Sequence, residues 1–212
     1  MSEDTKSIFD PANFVPPEVP SAGDVIFRSA AGGWDDACLH YGPDVWLPYT
    51  LGYKEAADRL VAQIETEHRH HDLLVYPIVY LYRHYLELAI KGLIQQAQKL
   101  LGDTVEVPAR HTLVELWTMC SALLERVSPG DSIEEQRQIG RLLREFSSVD
   151  PMSTGFRYPV DTRGNPSLAG LQQVNIPNVR DVVGKIALIL DGAQAQMGYY
   201  ADCLSDHIAG GN

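Results

Sequence analysis

The chain holds three cysteines in 212 residues, Cys38, Cys120 and Cys203, and no two of them form a C-x-x-C pair. So sparse and scattered a set argues against a disulfide framework and reads as reduced thiols of a cytoplasmic protein. No run of about 18 uncharged apolar residues exists, which excludes a helical membrane span of the usual kind. No basic N-terminal segment leads into an apolar stretch, so a signal peptide is not expected. Positive charge is also short. The formal net charge is −11, which argues against broad, charge-driven nucleic-acid binding. The motif H-E-x-x-H is absent, and Ala31-Gly32-Gly33 lacks the lysine and the strand–loop–helix setting of a phosphate loop. No serine- or cysteine-based triad has local support, and no cofactor is implied.

What is present is an apolar share of 45%, ample for one core. Residues 1–48 carry Pro11, Pro16, Pro17, Pro20, Pro43 and Pro48 without helical periodicity. They read as an extended arm. Its aromatic residues Phe9, Phe14, Phe27, Trp34 and Trp46 need an apolar surface, on the arm's own domain or on another subunit.

Apolar spacing predicts helices over about 50–67 and 75–101, the second stopping at Gly102. Pro77 falls in the first turn of that second helix or kinks it. Thr112 with Glu115, and Ser132 with Glu135, have capping-box spacing ahead of a third and a fourth helix. A fifth is expected from Pro177 or Asn178 to about Leu204. Between the fourth and fifth lies an insert, 147–176, rich in Pro and Gly, as a long loop or a short hairpin. The fold class that follows is all-α: an up-and-down bundle of about five helices, 49–208, behind an extended arm.

Two segments carry chemistry. In the run Tyr80–Lys91, His84, Glu87 and Lys91 form one polar line on an otherwise apolar helix, with Arg83 four residues before Glu87. Charges there must be paired if buried. The line is therefore an internal ion network or a site. If it lies on the surface, it is a salt-bridge chain worth about 0.3–0.5 kcal/mol per pair, with His84 hydrogen-bonded to a neighbour. In the insert, Phe156-Arg-Tyr-Pro-Val-Asp161 frames a stiff Tyr-Pro unit between Arg157 and Asp161. Either Arg157 pins the loop by an ion pair to Asp150 or Glu87, or the loop crosses the second helix and brings Arg157 to His84 and Glu87. Arg137, Arg141, Arg144, Arg157 and Arg163 against Glu145, Asp150 and Asp161 give 136–163 a local balance of +2 and make it the expected anion-facing region. The run His68-Arg-His-His71 invites a metal, but consecutive helical positions diverge, and a polar helix end suits it better.

The helix with Arg83-His84-x-x-Glu87-Leu-x-x-Lys91, the segment His111-Thr-Leu-x-Glu-Leu-Trp117 and Phe156-Arg-Tyr-Pro-x-Asp161 together resemble bacterial HEPN-like proteins over about 50–205. The resemblance implies a helical bundle that forms a homodimer, and a ribonuclease-type activity in toxin–antitoxin or antiphage defence. The family signature, an Arg followed by four to six residues and a His, is missing at all seven histidines. Catalytic roles are therefore not carried over by motif and are argued from chemistry. A metal-free ribonuclease needs a base for the 2′-hydroxyl and a cation for the phosphorane. His84 or His111 supplies the base, Arg83 or Arg157 the phosphate clamp, and Glu87 orients His84. Tyr82, Tyr85 or Tyr158 stacks or donates a hydrogen bond. Lys91, His111, Tyr158 and Asp161 complete the expected substrate contacts. The competing expectation is a non-catalytic interaction subunit of such a system, engaging a partner protein through the arm.

Overall fold

The computed structural model describes residues 18–28, 34–39, 45–109 and 112–210. The chain divides into two compact units, Met1–Tyr41 and Gly42–Asn212. The described part of the first unit has no helix or strand. It holds one tight turn: Asp24 N–H donates to the Ser21 carbonyl at 3.1 Å, and Ser21 N–H donates to Asp24 Oδ2 at 2.6 Å.

The second unit is all-helical, with α1 Leu47–Glu67, α2 His71–Leu101, α3 Leu113–Val127, α4 Ile133–Val149 and α5 Ile176–Gly210. Helix α2 packs against α1, α3 and α5, and α4 packs against α3. The core gathers on α2, where Ile78, Tyr82, Leu86, Ile90 and Ile94 are fully buried beside Ala57, Val61 and Ile64 of α1. Their recurrence at three and four residues is what makes both helices bury a single face.

The boundaries follow local chemistry. Pro48 occupies the first turn of α1, where its missing N–H is harmless. Gly102 ends α2 at φ 70°, and its N–H reaches the Gln98 and Lys99 carbonyls, as a left-handed cap requires. Pro77 lies in the second turn of α2 and is exposed. The two capping boxes do not form. The Thr112 hydroxyl bonds the Glu115 carboxylate directly rather than the backbone. Ser132 sits at φ 51° and donates to Asp131 instead. Asn175 caps α5, its Oδ1 accepting from Asn178 N–H at 3.0 Å.

Two cross-links set the helix frame. Tyr82 Oη donates to Asp58 Oδ1 at 2.7 Å, and Lys54 Nζ meets Asp58 Oδ2 at 2.6 Å, tying α2 to α1. Trp117 Nε1 donates to the Gln136 carbonyl at 3.2 Å. A Cβ at Gly140 would stand 3.2 Å from the same indole, so a larger residue would have to push the Trp117 ring back by a few tenths of an ångström. No described helix is long and apolar enough to cross a membrane.

Candidate functional site

The polar line of α2 is internal. Arg83 Nη1 meets Glu87 Oε2 at 3.0 Å and Lys91 Nζ meets Glu87 Oε1 at 2.9 Å. Exposures of 1%, 5% and 6% for Arg83, Glu87 and Lys91 remove the surface-chain reading. Three charges withdrawn from water survive because the carboxylate is shared between two cations. None of the three presents its charge to a ligand in this arrangement. Direct catalytic or substrate contact by Arg83, Glu87 and Lys91 gives way to a supporting position beneath the surface.

His84 flanks this ladder and is half-buried. Its ring packs edge-on against Tyr53 of α1, centroids 4.4 Å apart at 85°, and stacks on Tyr80 at 5.8 Å and 12°. The ring nitrogens make no hydrogen bond among the described residues. Glu87 therefore acts on His84 through its field, because its oxygens are held by Arg83 and Lys91. Burial pushes the His84 pKa below the ordinary imidazole value. The Glu87 carboxylate opposes that shift, while Arg83, Lys91 and Arg157 add to it. The outcome is a neutral imidazole at pH 7.

The insert reaches the same face. Asp150, 3% exposed, accepts from Thr154 N–H at 2.9 Å and Gly155 N–H at 3.0 Å through Oδ1. A Cβ on Gly155 would meet Leu168 Cδ2 at 2.8 Å, so any other residue there would have to displace the Leu168 side chain. Phe156 is buried, and Arg157 Nε donates to the Ser153 carbonyl at 2.6 Å. That bond aims the guanidinium: its Cζ lies 5.5 Å from the Tyr80 ring centroid and 5.5 Å from that of Tyr158, within cation–π range. Arg157 forms no ion pair among the described residues, so its expected link to Asp150 or Glu87 is replaced by a carbonyl and two rings. The expected hairpin reduces to one antiparallel bridge, Val160 to Pro166.

A continuous row results: Tyr158, Arg157, Tyr80, His84, Tyr53. Beside it, between the insert and the start of α2, opens a cleft of about 1050 Å³ whose walls include Tyr76, Arg157, Tyr158 and Asn175. The structure thus gathers His84, Arg157 and Tyr158. Asp161 stands apart, in its own turn, accepting from Arg163 N–H, Asn165 N–H and the Asn165 side chain. Those bonds hold its carboxyl below the usual range. His111 lies outside the described residues. Sequence reasoning did not single out Tyr80 and Tyr53. The four-residue spacing of Tyr80 and His84 was a usable signal, whereas Tyr53, on another helix, gave none.

Other candidates dissolve. His68 and His70 adopt φ 52° and 64° in the turn between α1 and α2, and no three potential ligands converge on a metal position among the described residues. Cys120 is buried, which pushes its thiol up to about 12. Arg137 and Arg141 of the arginine-rich stretch are already paired, to Glu134 at 2.7 Å and Glu145 at 3.5 Å. No family model matches the chain, and neither a curated protein nor a solved structure is similar to it.

Proposed function

We propose that this protein acts on RNA or a nucleotide as a metal-independent, HEPN-like ribonuclease, with the row from Tyr158 to Tyr53 as its site. The observation that carries the reading is the placement of Arg157 over Tyr80, one ring away from His84. A neutral imidazole takes the proton from the 2′-hydroxyl as that oxygen attacks phosphorus. The Arg157 fork stabilises the charge on the phosphorane oxygens. The 5′-oxygen leaves with a proton returned by the imidazolium or by water, and a 2′,3′-cyclic phosphate remains. Tyr158, at the exposed end of the row, offers a stacking face for a base, which suits a single strand rather than a duplex. An acidic protein with one such row binds RNA by stacking and one or two phosphate contacts. Its affinity should therefore depend only weakly on salt. A homodimer in a defence or toxin–antitoxin setting is part of the same proposal.

The test is incubation of single-stranded RNA and tRNA with the protein in EDTA. Cleavage is expected, abolished in His84→Ala and reduced about 10²-fold or more in Arg157→Ala. A wild type that neither cleaves nor binds RNA or nucleotides overturns the proposal. The second reading, a non-catalytic interaction subunit with a protein partner, is favoured by the withdrawal of Arg83, Glu87 and Lys91 from solvent and by the charge of −11. A stable complex that survives all substitutions in the row but not deletion of residues 1–48 would select it.

A further inference from the structure

Between α4, α5 and the insert the walls are apolar. A pocket of about 190 Å³ opens there, and Val79 of α2, Phe156 of the insert and Val183 and Ile186 of α5 are buried along it. Phe146, Leu171 and Val182 also line it and are only half-buried, so their side chains are accessible to a molecule that enters. Two polar residues border the pocket, Glu145 and Asn178. Both are exposed, and Glu145 already faces Arg141 at 3.5 Å. A charged or strongly polar ligand would give up its water here without gaining a buried partner. A neutral apolar ligand gains from every wall. The volume sets its size, since an apolar cavity of about 150 Å³ takes a benzene ring. A protein partner would engage about 20–30 residues on this side of an interface, more than surround the pocket.

We propose that this pocket is a binding site for a small neutral apolar molecule, of one or two fused rings, and that its occupancy holds the insert in place. Phe156, Leu171 and Val174 line both this pocket and the cleft that carries Arg157 and Tyr158. Phe156 directly precedes Arg157 in the chain. A molecule seated between Phe156 and Leu171 on one side and α4 and α5 on the other joins the insert to both helices by apolar contact. It thereby sets how firmly Arg157 stays over Tyr80. The site stands whether or not RNA is the ligand of the row.

Indole and toluene are the probes, with indole-3-acetate and tryptamine as charged counterparts of the first. Ligand-observed NMR titration of the full chain should show both neutral probes binding, and each charged counterpart at least tenfold weaker than indole. Val182→Phe fills the pocket and should abolish binding while the protein still melts cooperatively. Leu171→Ser, on the insert side, should weaken indole at least several-fold. Saturating indole should slow proteolysis within residues 150–176 several-fold in wild type and leave Val182→Phe unchanged. Any of four results would overturn the proposal: no binding of either neutral probe up to its solubility; charged counterparts that bind as well as indole; binding indifferent to both substitutions; or binding without protection of the insert. A wild-type dimer that Val182→Phe dissociates would show that a second copy covers the pocket, and would overturn it as well.

Discussion

The guanidinium of Arg157 lies over the ring of Tyr80, Cζ 5.5 Å from the centroid, and this contact fastens the insert to α2. Tyr80 in turn stacks on His84. A loop residue and a helix residue more than 70 positions apart thereby come to share one surface, with a rigid ring between them. Any account of what the protein does has to use or explain that row.

The charge ladder beneath it should be structurally critical. Glu87→Gln leaves Arg83 and Lys91 buried without the carboxylate that joins them, and should destabilise by about 3–5 kcal/mol. The triple change Arg83→Met, Glu87→Leu, Lys91→Met removes all three charges and should recover most of that loss. Urea denaturation of the two variants checks both statements. A Glu87→Gln protein as stable as wild type would show the ladder to be solvated in solution.

His84 should make stability fall on the acid side. Its folded-state pKa is depressed, chiefly by burial, so as pH drops below about 6.5 the unfolded chain takes the proton first. The contribution is present above that pH and is lost as pH falls through the folded-state value. The melting temperature of wild type should therefore decline more between pH 8 and pH 5 than that of His84→Gln. Parallel curves would contradict a buried, neutral imidazole.

Asp150 should govern the insert. Its Oδ1 holds the Thr154 and Gly155 amides, and Asp150→Ala leaves both donors unsatisfied, a loss of about 2 kcal/mol. Because Arg157 follows within the same turn, the substitution should also open residues 150–176 to proteases and weaken RNA binding. Asp150→Asn keeps a carbonyl acceptor and should fall between. Limited proteolysis with mass spectrometry reads the first effect and fluorescence anisotropy the second.

Much of the fold was legible in the chain because helices announce themselves by spacing. Gly102 ended α2 as expected, and the apolar face of α2 from Ile78 to Ile94 was plain. The capping boxes at Thr112 and Ser132 were not borne out, since a hydroxyl with a nearby carboxylate or a left-handed backbone has other partners. Pairing of Arg83 and Lys91 with Glu87 was legible at four-residue spacing. Their burial was not, because it depends on which helices surround α2. The Arg157–Tyr80 contact depends on the whole path of the insert, set by Asp150, Gly155 and the buried Phe156, and no local pattern encodes it.

A double-mutant cycle on RNA affinity, with wild type, His84→Ala, Arg157→Ala and the double variant, tests the shared site most directly. Two residues joined through Tyr80 on one ligand should couple by at least about 0.5 kcal/mol, the double variant binding scarcely worse than the poorer single one. Strictly additive losses, or a wild type with no affinity for RNA, would contradict it.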